Sequence, residues 1–585
     1  MQNQSAKYFL SSVFILFTFN LFGQSPTESI KINQIGFYPK APKIAVITGQ
    51  SNSKEFYITS TNQRDTLFRG QLEHERKSLY SSTTCRIADF STLTVPGSYV
   101  LVVPQVGHSY NFTIDNDVHR RIVMSTLKGY YYQRCSISLD VQFAGKWHRS
   151  AGHPDNKVFI HPSAASDQRP AGTIISTPGG WYDAGDYNKY IVNSGISTGT
   201  LLSAYEDFPD YFRSLKTNIP ETDDGVPDIL NECIYNLRWM LTMQDPNDGG
   251  VYNKCTNAKF DGMVMPGVTT LPRYVVQKGT AATLDLVSVA AQASRILRNY
   301  NKQFPGLADS CLAASINGWN WSKQHSDVLY DQDAMNKKLT PQITTGAYGD
   351  NNLQDEWFWA ACELLVTTKK ADYFETVSQK YVTTYSVPAW NNVAMPGIYS
   401  LIRNEKNLPG IAGAMVLEMK KSLLMFSDSL ITGSSKSAFN TVIGQSVKDF
   451  IWGSNAVASN QSNVLINAFK ITGDKKYLNY ALSNLDYILG RNATGYCFVT
   501  GAGSKSTMHP HHRQSVSDGV TEPVPGLLAG GPNPGRQDGS VYEFVEPETA
   551  YTDKSEAYAC NEIAINWNAP LVYLVSAIEA LQKYL

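Results

Sequence analysis

Hydrophobic positions follow two different periods along the chain. Between residues 28 and about 115 they come in short β-branched or aromatic runs: KIAVITG (43–49), EFYITST (55–61), CRIADF (85–90), GSYVLVV (97–103) and YNFTI (110–114). Pro, Gly, Asn and Ser bound these runs, as turns bound strands. Strands at this spacing predict a small immunoglobulin-like β-sandwich over residues 25–116. From about residue 120 the period becomes helical. Within 280–300 the apolar positions are Leu286, Val289, Ala290, Ala293, Ile296 and Leu297. Within 477–490 they are Leu478, Ala481, Leu482, Leu485, Ile488 and Leu489, with Gly490 placed to end the helix. Both sets follow i, i+3, i+4, i+7, the stripe of a helix with one buried face. The segment ELLVTTKKADYF (363–374) also resembles AFKITGDKKYL (468–478). Each is a helix end, a polar turn with lysines, then a Tyr near the start of the next helix. Repeated helical hairpins predict stacked helix pairs closed into a ring over residues 117–585. Long Gly/Pro/Asn-rich segments interrupt the helices at 150–185, 245–280, 385–410 and 500–550. Connections of that length usually carry function.

One apolar run fits neither period. Residues 1–24 hold a single Lys, an apolar stretch from Phe9 to Phe22, then small Gly23. That is the layout of a secretory signal peptide cleaved near Gly23–Gln24. The stretch is shorter than the ~20 residues of a membrane span and is broken by serines and Asn20. The mature chain is therefore expected to be exported, to the periplasm or the cell exterior, with no span of its own. The net charge of −1 and the lack of a basic run argue against nucleic acid and anionic membrane as partners. They favour a neutral substrate. The 33 Tyr and 10 Trp suit stacking on sugar rings, although most aromatic residues will be core. Eight scattered cysteines with no CxxC pair predict mostly buried free thiols.

Three polar constellations fall in or beside the long segments. The first is GGWYDAGDYNKY (179–190), with Asp183 and Asp186 three positions apart. By itself this reads as a helix start, Asp183 at the N-cap and Asp186 as a weak capping-box partner. A calcium loop is disfavoured because the D-x-D-x-D-G spacing is absent. The second, YTDKSEAYACNEIAINWNA (551–569), sets Asp553, Glu556, Tyr558 and Glu562 before an apolar helix. A carboxyl held against aromatic walls keeps its proton to higher pH and can serve as a general acid. The third, STMHPHHRQS (506–515), puts His509, His511, His512 and Arg513 in a polar loop, read as a hydrogen-bonding platform. Two separated carboxylate clusters and a His/Arg platform, in an aromatic-rich exported chain, suggest glycoside hydrolysis. One carboxylic acid protonates the leaving oxygen while the opposite carboxylate attacks the sugar or activates water.

From about residue 29 to its end the chain resembles the family-nine glycoside hydrolases, inverting cellulases and related β-glucanases, in the subgroup with an N-terminal immunoglobulin-like domain. The likeness rests on IKINQIGFYPKAPKIAVI (30–47), GGWYDAGDYNKY, IPETDDGVPDILNECIYNLRWMLTMQ (219–244), LDYILGRNATGYCFVTGAGSKSTMHPHHR (485–513) and VPGLLAGGPN (524–533). It also rests on the C-terminal spacing of Tyr551, Asp553, Tyr558, Glu562, Asn568 and Ala569. The resemblance implies an (α/α)6 barrel with a cleft across one end and the β domain packed on its side. It implies inversion at the anomeric carbon, with Asp186 as general base, Asp183 helping to hold the attacking water and Glu562 as general acid. Asp553 would support the acid or bind sugar. His511 and Arg513 would bind substrate, with Tyr558 and Trp181 as cleft aromatics.

The chain also departs from that family. Relatives with the β domain often hold a structural zinc on two Cys and two His. Here Cys135 and His153 match two positions, while Gly152 and Tyr182 stand at the others, so zinc is expected to be absent. Calcium is common in the family; its ligands are not visible in the sequence, and a structural calcium stays open. No cofactor is required by the chemistry implied. The expected substrate is a soluble β-1,4-glucan (cellulose-type, xyloglucan or mixed-linkage) or its oligosaccharides, acted on by a monomer. An exo-acting cellodextrin or glucosamine-oligomer hydrolase on the same fold is the alternative. A non-catalytic glycan-binding barrel is disfavoured by the intact Asp183, Asp186 and Glu562.

Overall fold

The computed structural model describes residues 27–585; the signal peptide expected at 1–24 lies outside the described residues. Residues 30–114 form two facing sheets. One runs in the order Ile30–Lys31, Ile44–Thr48, Thr84–Asp89, Arg76–Lys77. The other runs Gly36–Phe37, Phe112–Ile114, Gly97–Val103, Glu55–Ser60, Thr66–Gln71, with Gly107–His108 beside Gly97–Val103. The alternation of polar and apolar residues places the chain. Phe56 and Ile58 point inward, and with Phe37, Phe90, Leu101 and Phe112 they fill the space between the sheets.

Twelve helices of nine or more residues follow among the described residues. They are α1 (Arg120–Tyr132), α2 (Ile191–Asp207), α3 (Asp228–Thr242), α4 (Thr280–Leu297), α5 (Leu307–Gln324) and α6 (Gln354–Thr368). The rest are α7 (Asp372–Lys380), α8 (Ala394–Arg403), α9 (Gly413–Ile431), α10 (Ser454–Thr472), α11 (Lys475–Ile488) and α12 (Ile565–Leu581). The even-numbered helices form the inner ring: α2 packs on α4, α4 on α6, α6 on α8, α10 on α12, and α12 back on α2. The odd-numbered helices cover them, α3 on α2, α5 on α4, α7 on α6, α11 on α10, with α1 on α12 and α9 bridging α8 to α10. This is an (α/α)6 barrel preceded by a β-sandwich. Ring position follows composition. Every residue of α4 except Arg295 is buried, as befits a helix walled on all sides. In α9 only Val416, Met419, Leu423 and Ser427 are buried, one stripe of an outer helix.

The sandwich docks on the outside of the ring. Asn33 donates to Asp486 of α11 at 2.7 Å and Tyr38 to Glu579 of α12 at 2.6 Å. Ile44, Val46 and Ile87 pack against Ala438 and Phe439. A five-stranded sheet built from the long connections, in the order Ile174–Ile175, Val158–Ile160, Arg273–Val275, Lys254–Asn257, Lys189–Tyr190, leads directly into α2. All eight cysteines are buried free thiols. Among the described residues no helix is long and apolar enough to cross a membrane.

Candidate active site

The segment with Asp183 and Asp186 is not helical, which corrects the capping reading: Ala184 bridges to Ala564 and residues 185–187 bend. Lys189–Tyr190 pairs as a strand with Lys254–Asn257, Tyr190 opposite Lys254, and α2 begins only after it. Tyr190 takes the N-cap position and no side chain caps the helix. Both aspartates are buried and turn instead to a polar network. Asp183 accepts from Asn193 in the first turn of α2 (2.7 Å) and from the Tyr348 hydroxyl (2.8 Å). One carboxylate oxygen of Asp186 accepts from the Asn188 side-chain amide, the Asn188 backbone N–H (3.3 Å) and the Tyr190 hydroxyl (3.3 Å).

Glu562 follows the short turn Tyr558–Asn561 and opens an extended run. Isolated bridges flank that run: His511 with Glu562, Ala529 with Ile563, and Ala184 with Ala564. Ile565 N–H donates to the Asp183 carbonyl at 2.9 Å. The two carboxylate segments are thus tied together through backbone. Gly185 explains the glycine between the aspartates, since a Cβ there would lie 2.1 Å from the His511 carbonyl oxygen. Only glycine permits that approach.

Burial, then the nearby Asp186, pushes the Asp183 carboxyl up to about 8, against the pull of Asn193 and Tyr348. Burial, then Asp186 and Asp183, holds Glu562 well above the usual carboxylate range, while Arg513 and the Gly185 N–H oppose this. Neither carboxyl has a cation as hydrogen-bond partner, so both hold protons at pH values where an exposed acid would not. Glu562 thus keeps its proton near the Asp183–Asp186 pair, in which Asp183 also keeps one.

The platform residues have distinct places. The His511 Nδ1–H donates to the Ser555 carbonyl (2.6 Å), and burial keeps its ring neutral, with Nε2 as acceptor. The Tyr558 ring lies 5.6 Å from His511 and 5.5 Å from half-exposed Trp452. Arg513 donates twice to the Asp261 carbonyl (3.0 and 2.9 Å) and once to the Gly185 carbonyl (2.8 Å). Of its five N–H groups one holds the Gly185 carbonyl and two the Asp261 carbonyl, leaving two for a ligand. Asp553 accepts from the backbone N–H groups of Met508 (2.8 Å) and His509 (2.9 Å) and from Asn561 (3.1 Å). It fixes the platform loop and the residue before Glu562.

Trp181 does not fit the cleft role expected for it. The side chain is 0% exposed, its ring 4.5 Å from Tyr130 and its indole N–H directed to Glu232 at 3.3 Å. It belongs to the barrel wall. Two residues that hold Asp183 were not identified from sequence. Asn193 reads as an ordinary helical residue. Tyr348 lies in an aperiodic connection, and its contacts with Asp183, Tyr190 (4.8 Å between rings) and Trp390 (5.1 Å) are all far off in sequence.

The residues at the zinc position do not fit zinc. The Tyr182 hydroxyl pairs with His153 Nδ1 at 2.9 Å, and the Cys135 thiol donates to the His153 carbonyl at 3.3 Å. A Cβ on Gly152 would lie 2.5 Å from the Pro266 backbone, so loop packing fills the space a ligand side chain would need. As for calcium, both oxygens of buried Asp285 lack hydrogen-bond partners, and Asp350, Asp355 and Glu356 lie nearby. No three His, Cys, Asp or Glu side chains among the described residues converge as a ligand set.

The chain is similar to known proteins over most of its length. Residues 120–575 match the profile described as glycosyl hydrolase family 9, and residues 25–108 that of the cellulase N-terminal ig-like domain. A xyloglucan-specific endo-beta-1,4-glucanase of Bacteroides ovatus is 46% identical over 560 residues, 96% of this chain and 95% of that protein. Endoglucanase D of Acetivibrio thermocellus is 32% identical over 94% of this chain and 83% of its own length. A solved structure titled Bacteroides ovatus GH9 superposes with a TM-score of 0.91 at 44% identity, covering 95% of this chain and all of the other.

Proposed function

The chain belongs to glycosyl hydrolase family 9 and is a glycoside hydrolase; from that premise we propose that it is an inverting endo-β-1,4-glucanase for a soluble β-glucan, xyloglucan first among the candidates. The observation that carries the reading is the pairing of Glu562, held protonated by burial and by its acidic neighbours, with the Asp183–Asp186 pair. Glu562 donates its proton to the leaving glycosidic oxygen. Asp186 takes a proton from a water that attacks the opposite face of the sugar. Asp183 orients that water and is itself oriented by Tyr348 and Asn193. A neutral His511 and the remaining Arg513 N–H groups hydrogen-bond the sugar, and Tyr558 stacks on it.

Xyloglucan leads because the 46%-identical relative carries that specificity in its name. No catalytic cofactor is needed, and no structural zinc is part of the reading. The enzyme acts as an exported monomer after cleavage near Gly23–Gln24. Activity on a panel of xyloglucan, mixed-linkage glucan, carboxymethylcellulose and cellodextrins, with product sizing, tests the substrate. NMR of the first-formed reducing end tests the mechanism: the α anomer is expected, and a β anomer would mean retention.

A further inference from the structure

Beside the base segment lies a lysine that these steps do not use. Lys254 is 0% exposed and stands opposite Tyr190 in the antiparallel pair. Its ammonium has no carboxylate at ion-pair distance among the described residues. It donates to Gln332 Oε1 (2.6 Å), Thr345 Oγ1 (3.1 Å) and the Gly346 carbonyl (2.6 Å). It also lies 5.4 Å from the ring centroid of Tyr190 and 5.6 Å from that of Tyr330. A buried ammonium with only neutral acceptors is expensive to desolvate. Burial pushes Lys254 down to about 7, and Asp186 is the group that pulls it back up.

Two routes lead from this ammonium to the two aspartates. Along one, the Tyr190 ring that faces the charge gives its hydroxyl to Asp186 at 3.3 Å. Along the other, Thr345 and Gly346 lie in the turn that ends at Tyr348. That tyrosine holds a left-handed backbone (φ 48°) and gives its hydroxyl to Asp183 at 2.8 Å. A non-glycine residue in that region needs support from its surroundings, and Lys254 ties down the residue two positions before it.

We propose that Lys254 is a positioning residue for hydrolysis: its ammonium pins Tyr190 and the 345–348 turn together, so both aspartates are oriented by one buried charge that faces the general base. The inference rests on Asp186 being that base. The titratable groups around the ammonium are Asp186, Tyr190 and Tyr330, with His161 also within reach of its charge; Asp183 and Glu562 lie beyond Tyr348.

Lys254→Met and Lys254→Arg test this against wild type on a soluble β-glucan. The Met variant should lose kcat by about 30-fold with KM within about threefold, and the acidic limb of kcat/KM should move up by about one pH unit. The Arg variant, which keeps the charge, should restore the limb and part of kcat. Crystals of the Met variant should show the Tyr348 hydroxyl withdrawn from Asp183. If the Met variant fails to fold, Lys254→Gln replaces it with the same expectations. Loss of kcat in both variants with an unmoved limb means Lys254 only supports packing, and that overturns the proposal. So does a Met variant in which Tyr348 still meets Asp183. If wild type cleaves no β-glucan, the reading of the reaction fails, and the crystal arm still decides the positioning.

Discussion

Helix α2 has a carboxylate pair near each end, and the two pairs are treated in opposite ways. At its C-terminal end, Glu206 and Asp207 meet cations. Arg295 donates to Glu206 at 2.7 Å, Arg403 to Asp207 at 2.6 Å, and Lys470 also reaches Asp207. Those cations overcome burial and hold both carboxyls below the usual range. Just before its N-terminal end, Asp183 meets an amide and a phenol, and burial wins. The Asp207 side chain is as deeply buried as Asp183, so the partner decides. A buried carboxylate ringed by cations is fixed in charge and serves structure, whereas one held by neutral donors can gain or lose a proton and serve chemistry.

Substitutions at the two ends should therefore fail differently. The largest effect is expected at the reacting carboxyls. Asp186→Ala and Glu562→Ala should each lower turnover on β-glucan by about three orders of magnitude or more, with thermal melting little changed. Glu562→Ala should keep more of its rate on a dinitrophenyl glycoside, whose leaving group needs no proton. Asp207→Ala should do the reverse. It leaves Lys470 without its ion-pair partner and Arg403 with Glu206 alone, and should cost about 3–5 kcal/mol in denaturant unfolding, while kcat per folded molecule stays within twofold. Equal loss of stability at both ends would dissolve the distinction.

The pH dependence of stability sharpens it further. The Asp183 carboxyl is raised in the folded state, so the stability linked to it is complete below about pH 4 and is lost as pH rises towards about 8. Asp207 is depressed, so its contribution is present above about pH 4 and is lost as pH falls below that. Melting curves should show Asp183→Asn flattening the decline from pH 5 to 8, and Asp207→Asn flattening the decline on the acid side. An Asp183→Asn profile parallel to wild type between pH 5 and 8 would show that no such proton is held. The smallest effect concerns metal. Added zinc or a chelator should leave the melting temperature unchanged, and Tyr182→His alone should bind no zinc by calorimetry, because Pro266 still crowds Gly152.

Apolar periodicity marked the helices but not their ring: inner α4 and outer α11 show the same stripe, and only the structure shows α4 buried on every side. The stripe at Leu286, Val289, Ala290 and Ala293 announces a packed helix whatever its neighbours. Local pattern failed where the partner is remote. Asp183 reads as a helix cap because nothing nearby shows that residues 189–190 pair with a strand beginning at Lys254. The family resemblance implied Trp181 as a cleft aromatic, yet its ring turns into the wall beside Tyr130. Tyr348 carries no local signal, since only the closed ring brings it to Asp183. Long motifs shared with the family pointed to Asp186 and Glu562 as the proposed base and acid, but not to the residues that hold them.

The contact between Gly185 and the His511 carbonyl has a consequence for how such enzymes diversify. The proposed acid and base come from distant parts of the chain, yet adjoining backbones within the long connections tie their segments together. Exposed Phe260, Met263, Phe544 and Val545, in the same connections, take no part in that contact. A new glycan preference can then be acquired by redecorating the rim, while the machinery that breaks the bond is inherited intact.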